Sequence, residues 1–169
     1  MADNTFPNLT AALEQYGAAF RNLYQDKLIL ADAIATGELL NSVNYRVTQD
    51  GTTYEVSLSL AKYWKYIEEG RRPGLPGSKM PPPSAILKWI MAKPVVPRPS
   101  DKGRVPKPEQ LAWAIAKSIQ VKGIPAKPLL FETAQEINDH YRPIIAAAFA
   151  ADTMAMLRLS AIGSPLRGK

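Results

Sequence analysis

Cysteine is absent from the 169 residues and histidine occurs once, at His140. No disulfide framework, cysteine nucleophile or cysteine-built zinc site is therefore open to this chain. A multi-histidine metal site is equally excluded, and any histidine-dependent catalysis would have to use His140. The lack of disulfides suits a protein made in a reducing cytoplasm. No uninterrupted apolar run approaches the roughly 18 residues that read as a membrane span, so no membrane partner is expected. The first residues, MADNTFPNLT, are polar and acidic, which predicts no secretory signal. These absences favour a non-enzyme without cofactor or metal.

What is present is an ordinary globular composition, 46% hydrophobic and 21% charged, with mean hydropathy −0.16. Wholesale disorder is thereby excluded. The charge is uneven. The formal net charge is +6, yet residues 62–107 hold eleven Lys/Arg against three acids, a net +8, while the first 61 residues are at −4. A basic segment of this kind meets either nucleic acid or the acidic face of another subunit.

Residues 8–35 carry Leu9, Leu13, Tyr16, Phe20, Leu23, Leu30 and Ile34 at helical spacing, with Asn8 as the expected N-cap. Gly17 reads as a tolerable defect of up to about 1 kcal/mol against Ala. Thr36-Gly37 breaks the run, and ELLNSV (38–43) adds a short helical turn. Period two then takes over at Val43, Tyr45 and Val47, and resumes at Tyr54, Val56, Leu58 and Leu60. With QDG (49–51) between them, this predicts a β-hairpin.

AKYWKYIEEG (61–70) returns to helical spacing and stops at Gly70. Ten of the chain's 15 prolines fall between Pro73 and Pro108. Two short helices punctuate that region, a Ser84-capped segment over 85–93 and another over 108–123, bounded by Pro108 and Gly123. Between them lies a long basic loop (93–107). IPAKPLLF (124–131) is extended, because Pro125 and Pro128 hold their predecessors out of the α region, and it is placed as an edge strand. A helix from Glu132 to about Leu159 follows, kinked or restarted at Pro143. The tail beyond it reads as loose.

Few of these residues can carry chemistry. PGLPGSK (73–79) lacks the spacing that brings backbone N–H groups and a lysine onto phosphates, and no strand precedes it, so it is a turn. Glu68 and Glu69 are adjacent, point about 100° apart on a helix, and cannot act as a carboxylate pair. With Arg71 and Arg72 nearby they suit a salt-bridge cluster or a subunit contact. His140 falls in the predicted last helix near Asp139, Tyr141 and Arg142, and with no cysteine and no second histidine in the chain it suits an exposed or capping role over catalysis. Glu69, Arg71, Arg72, Lys79, Arg98, Lys102, Arg104 and Lys107 are the candidates for a subunit interface or, for the basic ones, for contact with nucleic-acid phosphates. Trp64, Trp89 and Trp113 offer stacking surfaces, but their helical spacing with other apolar residues points to core or interface packing.

The phrases TGELLNSV, KYWKYIEEG and GIPAKPLLF occur in an order that resembles the small neck, or tail-completion, proteins of long-tailed bacteriophages. The residues that carry the likeness are Gly37, Leu39 and Ser42; Tyr66 (or Tyr63), Glu69 and Gly70; and Ile124, Pro125, Ala126, Pro128, Leu129 and Leu130. Leu129 stands where that family tends to have Phe. The Pro-rich insert, about 75–122, exceeds the family's minimal plan.

The resemblance implies an α+β fold. On this chain that is a small antiparallel sheet, hairpin plus edge strand, against a long N-terminal and a long C-terminal helix, with a Pro-rich insert carrying two short helices. It would form a single domain over 1–160, its basic insert at about 71–108, followed by a flexible tail at 161–169. The resemblance further implies a virion structural protein, made in the host cytoplasm. Copies would form a homo-oligomeric ring at the head–tail junction, joining the filled head to the tail and surrounding double-stranded DNA. Its partners would be connector, head-completion, tail-tube or terminator proteins. The acidic front and basic middle suit head-to-tail contacts that close a ring. The competing expectation is a non-catalytic cytoplasmic nucleic-acid-binding protein that uses the basic loops.

Overall fold

A computed structural model describes residues 6–33, 37–74, 79–93, 97, 103 and 105–162. The fold is α+β. In chain order its elements are α1 (Pro7–Leu30), α2 (Glu38–Ser42), β1 (Asn44–Asp50), β2 (Thr53–Ser59), α3 (Trp64–Glu68), α4 (Pro83–Ala92), α5 (Pro108–Lys122) and α6 (Leu129–Ile162). The chain forms two compact units, one of residues up to Asp26, Val43–Ser59 and from Leu130 onward, the other of Lys27–Ser42 and Leu60–Leu129.

The first unit holds the hairpin and most of the two long helices. β1 and β2 pair antiparallel from Asn44↔Ser59 to Asp50↔Thr53. The turn is two residues, and Gly51 takes φ +58° at its first position, where a type II′ hairpin needs glycine. Tyr45 faces Leu58 and Val47 faces Val56 across the ladder, forming the half-buried side. Tyr45 lies over Gly17 of α1 so closely that a Cβ there would overlap its ring. Gly17 is therefore a packing requirement of the helix–hairpin contact rather than a tolerated defect. Phe6 stacks on Phe149 at 5.5 Å and meets Tyr54 edge-on at 6.0 Å. Leu9, Ala12, Phe20, Tyr24, Val43 and Ile137 are buried in this unit.

The start of α1 corrects the sequence reading. Asn8 is inside the helix, and the orphan N–H groups of the first turn are taken by Asp152 of α6. Asp152 Oδ1 accepts from Asn8 N at 3.2 Å and from Asn8 Nδ2 at 2.6 Å, and Oδ2 accepts from Leu9 N at 2.8 Å. Only 2% of Asp152 is exposed. Burial raises its pKa, but the hydrogen bonds from Leu9 and Asn8 outweigh that and hold it below the ordinary 3.8. A carboxylate at a helix N-terminus also meets the positive end of the helix dipole.

α1 ends at Leu30, earlier than its apolar spacing suggests. Asp32 enters the left-handed region at φ 51°. Asp32 N then donates to Ile29 O and Ala33 N to Leu28 O, both at 3.0 Å, the pattern of a Schellman cap with aspartate in glycine's usual place. Lys127 Nζ donates to Ala31 O at 2.6 Å and Lys93 Nζ to Asp32 O at 3.1 Å, placing two cations on the helix's negative end. Ile34 and Thr36 lie outside the described residues.

In the second unit α4 packs on α5, with Ile90, Ala112 and Ala116 buried. Pro83 opens α4 after Pro82, so Ser84 is not its cap; proline suits the first helical position because its missing N–H has no intrahelical partner there. α5 runs from Pro108 to Lys122 with Gly123 past its end, as expected.

The expected edge strand over 124–131 is not formed. Ile124 makes one antiparallel bridge, to Arg71, and the sheet has two strands. Pro125 and Pro128 have no N–H to extend the ladder, and α6 starts at Leu129 rather than Glu132. α6 continues through Pro143 without a break and reaches Ile162. Residues 163–169 of the expected loose tail lie outside the described residues.

Candidate functional site

The second unit brings together phrases that are far apart in the chain. Arg71 N donates to Ile124 O at 2.9 Å and Ile124 N to Arg71 O at 2.7 Å, while Lys127 N donates to Ile67 O at 2.9 Å. This clamps KYWKYIEEG against GIPAKP. Glycine is needed on both sides of it. Gly70, at φ +66°, abuts Ile124 O and lies so that a Cβ would come 2.6 Å from Ala126 N. Gly123, at φ +75°, abuts Arg71 O in the same way. Any side chain at either position would collide with backbone, which cannot rotate aside.

The first phrase supplies the neighbouring wall. Ser42 Oγ donates to Leu39 O and accepts from Ala61 N, both at 2.8 Å. That hydroxyl ties the end of α2 to the segment leading into α3, with Leu39 buried.

Two apolar grooves open beside this framework. One, of about 540 Å³, is lined by Leu28, Leu39, Leu40, Tyr63, Ile67 and Trp89 among others, with Glu38 and Lys88 contributing charge. A second, of about 280 Å³, is formed by Tyr66, Ile124, Pro125 and Lys127. Ala33, Tyr63 and Ile67 belong to both. Residues from all three phrases thus line one continuous apolar surface. Covering such a surface gains about 25 cal/mol per Å² of apolar area buried.

The charged candidates divide. Arg71 is half-buried, and its Nη2 donates to Lys79 O at 2.7 Å, which ties it to the residues just before α4. Glu69, Arg72, Lys79 and Lys107 are exposed. Lys107 precedes α5, and its backbone N donates to Gln110 Oε1 at 3.0 Å, closing the helix start. Arg98, Lys102 and Arg104 lie outside the described residues.

Of the tryptophans expected in core or interface packing, none is buried in the core. Trp113 is 56% exposed and Trp89 36%, while Trp64 is half-buried with the Lys65 ammonium 5.9 Å from its ring centre. His140 is exposed on α6 and meets Tyr141 edge-on at 5.1 Å. Among the described residues no group of three or more His, Asp or Glu side chains is gathered as a metal site.

Sequence reasoning missed the capping residues Asp152, Lys93 and Lys127, whose partners are long-range. It also missed the end of α6. Every residue from Met154 to Ser160 is exposed, including Met154, Met156, Leu157 and Leu159. The signal was present in the apolar composition of 143–159, and Leu129–Ser160 is indeed long and apolar enough to cross a membrane by length and composition. Within that stretch, however, Asp152 is spent on the α1 cap and Thr133 and Ile137 are buried in the protein.

Comparison of the chain with protein-family models, with curated proteins and with solved structures returns no match.

Proposed function

We propose that this protein is a non-catalytic structural subunit of a phage virion, which assembles into a ring at the head–tail junction around the DNA channel. The observation that carries the reading is the convergence of Leu39, Tyr63, Ile67, Ile124 and Pro125 on one apolar surface. Those residues belong to, or directly adjoin, the phrases that resemble tail-completion proteins. The apolar lining of that surface, with Glu38, Lys88 and Lys127 at its margins, supports a role in covering another apolar segment. Exposed Trp113, Phe131 and Leu157 add apolar area of the kind that protein partners cover. The exposed bases Arg72, Lys79 and Lys107 are left to face an acidic neighbour or the DNA channel.

The test is negative-stain electron microscopy of the purified chain, with its mass measured in solution. Closed rings with an axial opening are expected. A monomer at all concentrations that binds duplex DNA with a steep salt dependence would overturn the proposal and favour the nucleic-acid reading.

A further inference from the structure

In the first unit, α1 and α6 leave an open trough of about 640 Å³ between them. Its two ends differ in chemistry. Leu9 of α1 with Ile145, Ala146 and Phe149 of α6 form one end, and none of them has a polar side-chain atom. Tyr16, Asn138 and Arg142 form the other. Asn138, Arg142, Ile145 and Phe149 recur at spacings of four, three and four, and so fall on one stripe of α6. Tyr16 is bonded to Asn138 and Leu9 to Asp152, which sets the two helices antiparallel along the trough. Arg142 and Phe149 lie two turns apart, a rise of about 10 Å.

The polar end is built of donors. Tyr16 Oη donates to Asn138 Oδ1 at 2.9 Å, which orients the carboxamide and leaves its Nδ2 group to donate. Burial raises the Tyr16 pKa, so the phenol adds no anion of its own. Among the described residues Arg142 has no ion pair, and no acid lines the trough. An unopposed guanidinium and an amide N–H beside an apolar floor suit a ligand that is anionic at one end and apolar along the rest. A peptide would lay backbone amides over Leu9, Ile145 and Phe149, where no side chain can bond them, a cost that an alkyl chain avoids. We propose that this trough binds the anion of a medium-chain fatty acid, with its carboxylate on Arg142 and Asn138 and its tail towards Leu9 and Phe149. The site lies within one copy of the chain and depends on neither a ring nor DNA.

The test adds sodium decanoate, below its micelle concentration, to the full chain and follows binding by calorimetry and amide NMR. Saturable binding of one decanoate per chain is expected, with shifts centred on Tyr16, Asn138 and Phe149. Decanol has the same tail without the charge, and acetate the charge without the tail. Each should bind about tenfold or more weakly than decanoate. Arg142→Gln should weaken decanoate binding about tenfold or more. Asn138→Asp should do the same, because it keeps the acceptor for Tyr16 while placing a negative charge at the polar end. Equal binding of decanol would reduce the trough to an unspecific apolar face, and equal binding of acetate would reduce it to a surface cation. Either result would overturn the proposal, as would a failure to saturate or an affinity unchanged in either folded variant. The comparison of the three ligands on the native chain decides the question whatever the substitutions do to folding.

Discussion

Asp152 on α6 holds the first turn of α1 by accepting the N–H of Leu9, 143 residues earlier, at 2.8 Å. With the two bonds from Asn8, the carboxylate is a helix cap supplied by a distant segment. Because its folded pKa lies below 3.8, its contribution to stability is complete above that value. It is lost as pH falls through the lower folded value. The expected outcome is a Tm that declines in this acid window for the native chain. In Asp152→Asn, Tm should be lower at neutral pH and less dependent on acid, as measured by thermal melts between pH 2 and 7.

Gly17 and Tyr45 make a second test. In an exposed helix Gly→Ala stabilises by about 1 kcal/mol, but overpacking costs about 1–3 kcal/mol, and here the new methyl overlaps the Tyr45 ring. Gly17→Ala is expected to destabilise by about 1–2 kcal/mol in urea unfolding. In a Tyr45→Ser background the same change should become neutral or stabilising, since the ring is gone.

The positive-φ glycines rank by what surrounds them. Gly51 has nothing within 4 Å of its added Cβ, so Gly51→Ala meets only the left-handed strain of about 1–2 kcal/mol. Gly70→Ala meets that strain and the backbone of Ile124 and Ala126 together. Its urea midpoint should fall further than that of Gly51→Ala, with the Arg71–Ile124 bridge lost as faster exchange of the Ile124 amide.

How much of this was legible in the sequence follows the range of the interactions. The hairpin was readable because alternation at 43–47 and 54–60 and the Asp50-Gly51 turn are local signals. α5 was readable for the same reason, since Pro108 and Gly123 mark its ends. The end of α1 was not, because Asp32 takes a glycine-like conformation that lysines from α4 and the post-α5 segment support. Nor was its start, where Asp152 displaced Asn8 as the cap. The apolar grooves were foreshadowed only as short phrases. Their meeting depends on the Arg71–Ile124 bridge, which no periodicity encodes.

Charge reversal tests the proposed assembly contacts. Arg72 is exposed, whereas Arg71 is engaged with Lys79 O, so Arg72→Glu isolates the interface role from that tie. The double variant Arg72→Glu/Lys107→Glu is expected to keep the monomer's circular dichroism and Tm. Its ring formation should weaken, most clearly at low salt, where exposed charges are least screened. Assembly indifferent to these changes would remove the basic segment from the interface.

The proposed virion role is tested most directly by electron microscopy of lysates from the proposed parent phage with this gene inactivated. DNA-filled heads lying beside unattached tails are the expected result, and restoration by the native chain in trans should rejoin them. Intact, infectious virions without the protein would contradict a role at the head–tail junction.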